Sequence, residues 1–427
     1  MNRESIAIVG SGISGLATAW FLHRDHDVTV FEKDNRAGGH SHTVMVAENG
    51  GQVPVVTGFM VYNEVTYPFL TRLFRELDVV TKPTSMSFSV QHVGDGLEFN
   101  GGSLNLLFGQ RRNLLNLRYW KMLMQINRFN RETVEELENP SFGEMSLKDY
   151  VKARAYGEDF LRWYLSPMAA AVWSSPPEKI ERFPARTLMR FWHNHGFLGL
   201  DTQHPWRTVS GGSRCYVEKL MKPFEQHVRR GVGVRSVAAL ADRRSRVTLD
   251  DGTHQDFDRV VIAGHGDQAG RMLADPTVLE KDLLVRFPYQ QNEAVLHTDS
   301  RFMPKTRRCW AAWNYRIDRG ADGANRYSTH YWMNELQGVS DREQYFVSIN
   351  PSSSPAEDRI KRRLVYEHPL FDLESVAAQD RLPELHLAGH ETGRFFCGAW
   401  QRYGFHEDGL WSAMNVSTQI LGRSPWS

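Results

Sequence analysis

Three glycines near the N-terminus have the spacing of a turn that binds the phosphates of a dinucleotide. Gly10, Gly12 and Gly15 follow the short apolar run Ser5–Val9, which predicts a buried parallel strand. Gly10 permits a tight turn, Gly12 lets the backbone approach a diphosphate, and Gly15 lets the next helix pack closely on the strand. The N–H groups at that helix N-terminus would hold the phosphate charge. Glu32, 22 residues after Gly10 (32 − 10), ends the next strand, where a carboxylate can accept hydrogen bonds from ribose hydroxyls.

The residues after Glu32 distinguish FAD from NAD. Strand, glycines, helix, strand and acid occur in order, so a glycine-rich turn without a ligand is the weaker interpretation. Arg36, Gly38-Gly39 and Thr43 continue the pattern as E-x-x-x-R-x-G-G-x-x-x-T, which resembles the extended FAD signature of the flavin amine oxidase, phytoene desaturase and protoporphyrinogen oxidase superfamily. That superfamily often has an arginine after the two glycines, whereas this chain has His40. The resemblance implies an FAD site formed in this part of the chain by Gly10, Gly12, Ile13, Ser14, Gly15, Glu32, Lys33, Gly38, Gly39, His40 and Thr43.

A second motif resembles the closing motif of the same superfamily. Leu385–Thr392 is predicted to be a strand that runs into an A-G-x-E-T turn, and Tyr403–Leu410 opens a helix that continues to about Leu421. In the superfamily the turn contacts the ribitol and pyrophosphate, and the helix N-terminus points at the flavin C2 carbonyl, where its dipole stabilises negative charge. The resemblance therefore adds further FAD contacts, namely Gly389, Glu391, Gly409, Leu410 and, through its backbone on the strand Gly231–Ala239, Val234.

The opening of this last helix also holds the candidate catalytic residues. His406, Glu407 and Tyr403 would lie near the flavin if the motif is aligned correctly, where a base could take a proton while flavin N5 takes a hydride. His406 is the preferred base because an unperturbed histidine titrates near neutrality. A histidine that only bonds the flavin or the backbone remains an equal alternative.

Two features argue against a typical amine oxidase. Such enzymes often place a lysine at N5 through a water molecule, but the comparable strand, Tyr289–Glu293, contains none. Some attach FAD through a cysteine about 25 residues upstream of the closing turn, and neither Cys309 nor Cys397 has that position. We therefore expect FAD to be bound noncovalently.

Length allows two domains, or one with a large insertion. The resemblance implies an α/β protein with a Rossmann-type, amine-oxidase-like FAD-binding domain and an inserted α+β substrate domain. The FAD-binding domain is predicted in three parts, 1–100, 206–270 and 383–427. The substrate domain is predicted in two parts, 101–205 and 271–382.

Composition limits the partners and the location. The formal net charge of +1 gives no sign of a nucleic-acid partner. Three cysteines without a C-x-x-C pair suit a reducing cytoplasm, and no apolar run has the length of a signal peptide or a membrane span. The pair His193 and His195 lacks a nearby cysteine or acid, so no metal site is predicted. The sequence does not decide whether the protein forms a homodimer.

The segment Arg111–Arg131 combines six positive charges and no acid with leucine, methionine and aromatic residues. This composition is typical of a helix that lies on a membrane surface, which would place the protein peripherally at the inner face of the membrane. The preferred alternative is a helix of the substrate domain with its apolar side packed and its arginines solvated.

The chain also resembles a bacterial subgroup of flavin-dependent oxidoreductases through Phe405–Leu410, Val61-Tyr62-Asn63 and Met86-Ser87-Phe88. That subgroup is associated with cyclopropane-fatty-acid-synthase-like methyltransferases, which implies oxidation or desaturation of an acyl chain, a methylated one within a phospholipid. The leading hypothesis is thus an FAD-dependent oxidoreductase with a small-molecule or lipid substrate of apolar character. A soluble flavin amine oxidase and a non-redox flavoprotein, such as an isomerase, are the alternatives.

Overall fold

The computed structural model describes residues 3–139, 142–199 and 202–426. The strands are β1 (Ser5–Val9), β2 (Asp27–Glu32), β3 (Thr43–Glu48), β4 (Gly51–Val56), β5 (Tyr62–Asn63), β6 (Thr81–Thr84), β7 (Phe88–His92), β8 (Leu97–Asn100), β9 (Trp206–Val209), β10 (Val228–Arg230), β11 (Val234–Ala239), β12 (Ser245–Leu249), β13 (His254–Phe257), β14 (Arg259–Ile262), β15 (Tyr289–His297), β16 (Trp313–Arg319), β17 (Asn325–Trp332), β18 (Phe346–Ile349), β19 (Ile360–Pro369) and β20 (Arg394–Phe396).

The helices connect these strands or cover the sheets. They are α1 (Ile13–Leu22), α2 (Pro68–Glu76), α3 (Leu104–Leu107), α4 (Leu117–Glu138), α5 (Leu147–Ala153), α6 (Glu158–Phe160), α7 (Ser166–Trp173), α8 (Pro177–Ile180), α9 (Ala185–Asn194), α10 (Arg214–Met221), α11 (Gly266–Met272), α12 (Val278–Leu284), α13 (Met333–Gln337), α14 (Leu373–Gln379), α15 (Leu382–Thr392) and α16 (His406–Leu421). Within the described ranges, none of them is both long and apolar enough to cross a membrane.

A parallel sheet with the order β10-β2-β1-β14-β20 forms the first core. Its central strands are short apolar runs with almost no exposed residue, as expected where helices cover both faces. The strand order reverses beside β1, so the carboxyl ends of β1, β2 and β14 open onto one crevice. The predicted α/β architecture is therefore confirmed.

The second core is built on a seven-stranded mixed sheet with the order β19-β15-β18-β17-β16-β7-β8. Helices from the segment 117–194 cover it with an aromatic cluster. Strands β7 and β8 belong to this sheet because β7 pairs in parallel with β16. Strands β7 and β8 therefore belong to the sheet of the substrate part, although they precede the boundary predicted at residue 100.

One predicted element is wrong. Leu385–Thr392 is not a strand but most of helix α15, which has Pro383 in its first turn and ends at Gly393 with φ +69°. The strand that follows is β20, only three residues long, at the edge of the parallel sheet. Gly389 lies on α15 facing β20, where a Cβ would be 2.7 Å from the ring of Phe395.

A buried ion pair fastens β20 to α12. Arg394 donates to Glu280 from Nε at 3.0 Å and from Nη2 at 2.8 Å, and both side chains are 2% exposed. Glu280 also accepts the N–H of Thr277 at 2.7 Å, which completes the capping box of α12. The arginine reaches Asp275 at 2.6 Å as well.

Replacement of Glu280 by glutamine should destabilise the protein by about 3–5 kcal/mol, because it leaves a buried guanidinium without its main counter-charge. The matched control is Glu384→Gln, which removes an exposed ion pair with Arg381 and should leave the unfolding midpoint unchanged. Urea unfolding followed by tryptophan fluorescence measures both. Equal midpoints for the two variants would contradict the role of the Arg394–Glu280 pair.

Candidate active site

The glycine turn lies at the carboxyl end of β1. Gly10 has φ +103° and donates its N–H to the carbonyl oxygen of Phe31 at 2.8 Å. A Cβ on Gly15 would lie 1.9 Å from the carbonyl oxygen of Gly10, so only glycine lets α1 begin this close to β1. At Gly12, by contrast, no described atom lies within 4 Å of the Cβ position, and no described side chain caps α1. This open helix N-terminus fits a diphosphate.

The carboxylate of Glu32 is fixed at the end of β2. One oxygen accepts the N–H of Ser11 at 3.0 Å together with its hydroxyl, and the other accepts the N–H of Asp34 at 2.9 Å. The oxygen that bonds Asp34 can accept a further hydrogen bond, so the group can still meet a ribose. Lys33 is exposed beside it. Ser11 was not predicted, although a hydroxyl between the first two glycines is a visible signal.

The double glycine lies against the first turn. Gly38 donates its N–H to the carbonyl oxygen of Ser11 at 2.9 Å, and a Cβ on Gly39 would be 3.0 Å from Cα of Gly12. Arg36 folds back and donates to the carbonyl oxygen of Gly39 at 2.7 Å. The arginine of the signature therefore orders this loop, and the loop continues the crevice that begins at Gly12.

Two predicted FAD contacts have other structural partners. Val234 pairs with β12 in a separate antiparallel sheet, and the backbone beside Glu32 is that of Val232, whose N–H donates to the Glu32 carbonyl at 2.8 Å. The hydroxyl of Thr43 accepts the N–H of Arg214 at 3.1 Å, at the start of α10. A role for Val234 or Thr43 at the cofactor stays a prediction.

Helix α16 begins where α1 begins. A Cβ on Gly409 would lie 2.7 Å from Cγ2 of Ile13 and 2.9 Å from the hydroxyl of Ser14. Leu410 is fully buried beside them. The two helix N-termini therefore face one region, as predicted, and both present partial positive charge to it.

His406 lies in a closed polar triangle. Its Nε2 is 2.8 Å from the hydroxyls of both Ser41 and Tyr216, and its ring stacks on Phe59 with centroids 3.7 Å apart. Burial lowers the pKa of His406 to about 3. The expectation that it titrates near neutrality is wrong, because sequence alone does not show that the ring is desolvated.

Glu407 caps another helix. Its two oxygens accept the N–H groups of Phe69 and Leu70 at 2.9 Å each, in the first turn of α2. Burial raises its pKa to about 7. The carboxylate is thus committed to α2 and does not face the crevice as a free base.

Tyr403 belongs to an aromatic wall between the two cores. Its carbonyl oxygen accepts the indole N–H of Trp173 at 3.0 Å, and its ring centroid is 5.5 Å from that of Phe191. Phe405 stacks on Phe191 at 5.0 Å. Burial raises the pKa of Tyr403, so it stays protonated at neutral pH. Trp400 is fully buried in the core behind β14 instead of in this wall.

The closing turn comes later in the chain than predicted. Because β20 ends at Phe396, the residues at its carboxyl end are Cys397 and Gly398, and Gly398 donates its N–H to the hydroxyl of Ser412 on α16 at 2.9 Å. Gly389 and Glu391 lie on α15, before β20, and not at this edge. The short apolar run that precedes Gly398 is the signal that could have located the turn.

A histidine cluster joins the glycine loop to the substrate sheet. The ring of His40 lies 5.0 Å from Tyr366 and 5.3 Å from His368, both on β19. Burial lowers the pKa of His40 well below its usual value and that of His368 to about 4. Within the described residues, the buried Nε2 of His40 has no hydrogen-bond partner. Such an atom fits a ligand that would supply one.

Neutral amides of β15 extend this cluster. Asn292 donates from Nδ2 to Nδ1 of His368 at 2.7 Å, and its Oδ1 accepts from Asn350 at 2.6 Å. Gln290 donates to the carbonyl oxygen of Ser174 at 2.6 Å, beside the aromatic wall. His368 therefore carries its proton on Nε2. Neither Asn292 on β15 nor His368 on β19 is among the site residues predicted from the sequence.

Comparisons with solved structures show the same fold in known flavoenzymes. Cyclohexylamine oxidase from Brevibacterium oxydans IH-35A has a TM-score of 0.67 at 13% identity, with 98% of this chain and 100% of that chain covered. The CLA-producing fatty acid isomerase from P. acnes has a TM-score of 0.66 at 12% identity, with 98% of each chain covered. Putrescine oxidase bound to putrescine gives 0.65 at 14% identity, covering 99% of this chain and 100% of that one.

At these identities the likeness establishes the fold and not the substrate. A comparison with curated protein sequences finds no significant match. The profile of one sequence family, described as flavin containing amine oxidoreductase, matches residues 13–349. The chain therefore belongs to the flavin-containing amine oxidoreductase family and is an FAD-dependent oxidoreductase.

Proposed function

We propose that the enzyme oxidises an apolar substrate, an acyl chain of a modified fatty acid or phospholipid, where His40, His368 and Asn292 meet. The observation that carries this proposal is that the converging side chains are uncharged at neutral pH. Burial keeps the two histidines neutral and raises the pKa of Tyr366 to about 12. A hydrocarbon chain leaves no charge unpaired in such a site, whereas a buried ammonium group needs a carboxylate.

The cofactor contacts are proposed from the same geometry. The open N-terminus of α1 at Gly12 would hold the diphosphate, and Glu32 the adenosine ribose. The N-terminus of α16 beside Gly409 would lie at the flavin, with Gly398 at the closing turn and the unpartnered Nε2 of His40 available to the flavin or the substrate.

The proposed reaction leaves a C=C bond in the chain. Bound FAD supplies the acceptor for the hydride. The proton from the neighbouring carbon must go to a base, and the proposal places it on Nε2 of His40, a buried ring nitrogen that has no other described partner. His368, oriented by Asn292, would position the neighbouring ring and donate from its own Nε2.

The methylated or cyclopropane-containing chain is proposed from the subgroup resemblance of Phe405–Leu410. The fatty acid isomerase of similar fold supports only that this architecture can accept an acyl chain. An amine substrate is the second candidate, because Tyr403 and Phe405 are half-buried aromatic residues, a type whose rings can hold a cation. A non-redox reaction of the bound flavin is the third.

Replacement of Gly12 by valine should lower the FAD content at least about tenfold, because its side chain would fill the space proposed for the diphosphate. The matched control, Gly143→Val, also adds a side chain where no described atom lies within 4 Å, but far along the chain in the substrate part, and should retain FAD. Flavin absorbance after acid precipitation measures both. In the control the yellow colour should pass into the filtrate, and colour in the pellet would contradict noncovalent binding.

Anaerobic addition of phospholipids with methylated or cyclopropane chains should bleach the flavin absorbance, whereas amines should not. The physical reason is the uncharged lining of the site. Bleaching by putrescine or cyclohexylamine alone would replace the acyl proposal with the amine one. Bound FAD that is bleached by neither panel, but supports rearrangement of the added lipid, would establish the non-redox alternative.

His40→Ala and His368→Ala should each slow flavin reduction per bound FAD by about 10²-fold or more, because proton transfer loses its acceptor or the ring that orients it. His297→Ala is the matched control. His297 is fully buried, lies on β15 and has a pKa also lowered to about 4, but it bonds Ser348 and not Asn292. Stopped-flow reduction with the substrate identified above provides the rates. Wild-type rates in both test variants would exclude these histidines.

A further inference from the structure

A group of large apolar side chains is exposed on one side of the substrate part. Leu115 is 90% exposed, Leu117 84%, and Met124 64%. We define the docking patch as Leu104, Leu114, Leu115, Leu117, Trp120 and Met124. Elsewhere in the described chain, exposed large apolar residues are single and mostly valines, which is ordinary for a protein surface. Several exposed leucine, tryptophan and methionine side chains within one short segment of the chain are not.

The fold does not use these side chains. Helix α4 already packs its inner side through Tyr119, Met122 and Phe129, which are fully buried. Leu117, Trp120 and Met124 recur at i, i+3 and i+7 on the outer side and form a second apolar stripe.

The patch is also held in place. The indole N–H of Trp120 donates to the carbonyl oxygen of Leu114 at 3.0 Å, and its ring lies 5.0 Å from that of Phe108. Leu114 and Leu115 therefore lie in an ordered turn, Arg111–Leu115, which leads into the first turns of α4.

The surroundings of the patch are positively charged. Residues 99–131 contain no aspartate or glutamate but six lysines and arginines, in a chain whose formal net charge is only +1. Arg118 is paired with Asp159, and Arg128 with Glu132. Arg111 donates to backbone carbonyl oxygens, which leave its charge uncompensated, and Lys121 is exposed beside Trp120.

We propose that the docking patch binds the surface of an anionic phospholipid bilayer. The leucines, tryptophan and methionine would enter the boundary between head groups and chains, while the basic side chains contact the anionic head groups. A second copy of the chain fits less well, because a symmetric interface would place the same arginines against each other. The proposal rests on the proposed function in one respect, that an acyl chain of a phospholipid must be reached at a bilayer.

The patch lies on the part of the molecule that carries the site. Tyr119 and Met122 on the inner side of α4 pack with Val90 and Phe99, on β7 and β8. These strands form one edge of the seven-stranded sheet whose other edge contains β15 and β19. The docking patch is therefore connected, through α4 and the seven-stranded sheet, to the strands that contribute Asn292 and His368.

Flotation of the FAD-loaded protein with liposomes tests the proposal. Vesicles of phosphatidylcholine with phosphatidylglycerol should bind the wild type at low salt, and pure phosphatidylcholine should bind it less. Leu115→Asp with Leu117→Asp should reduce the bound fraction about tenfold or more. Val278→Asp with Val285→Asp is the matched control, since these valines are 89% and 73% exposed but lie at the start of α12 and directly after its end. Arg111→Gln with Arg112→Gln should weaken binding and reduce its dependence on salt.

Failure of the wild type to float with anionic vesicles at low salt would overturn the proposal. It would also be overturned if the Leu115/Leu117 variant bound like the control, or if that variant converted a wild-type dimer into a monomer, which would make the patch an interface between copies. The vesicles need not contain substrate, so flotation is independent of flavin bleaching. Binding without bleaching would leave docking intact and reject only the proposed reaction.

Discussion

The structure depends on the close approach of two helix N-termini that are almost 400 residues apart. Gly15 lets α1 begin against the turn of Gly10, and Gly409 lets α16 begin against Ile13 and Ser14. Two N-termini at one place bring like partial charges together, which is unfavourable unless an anion lies between them. A bound dinucleotide diphosphate would remove that cost. Cofactor binding and the joining of the two ends of the chain are therefore coupled, and the bound state should be the more stable one.

The same crowding occupies the polar atoms at the start of α16. His406 and Glu407 are packed under Phe59 and α2, and their polar atoms are used by Ser41, Tyr216 and the first turn of α2. Burial shifts each pKa toward the neutral form, downward for the histidine and upward for the acid. These groups hold the helix at its position. The residues that face the substrate part must come from elsewhere.

The sequence predicted those parts of the site whose requirements are local. The turn at Gly10, the acid at Glu32 and the helix that begins near His406 each need a particular residue within a few positions of a strand or helix end. The prediction of the closing turn was wrong because residues on α15 match the A-G-x-E-T motif. The true strand, β20, is too short to show a pattern in the sequence. His368 and Asn292 could not be found this way. They are 76 residues apart and meet only because β15 and β19 pair. No local sequence motif could show that they are neighbours.

The two proposals together require one surface of the protein to bind the acyl chain of a lipid and another to bind its head group. An acyl lipid in a bilayer has an uncharged chain and, in anionic lipids, a negative head group. The converging side chains of the site are neutral because burial suppresses every charge that His40, His368 and Tyr366 could carry. The surroundings of the docking patch are the opposite, since exposed arginines and Lys121 lie around its exposed leucines. The neutral site lies at the β15–β19 edge of the seven-stranded sheet, and the basic surface lies near the β7–β8 edge. The proposed acyl chain would therefore meet uncharged side chains, and the anionic head group would meet basic ones.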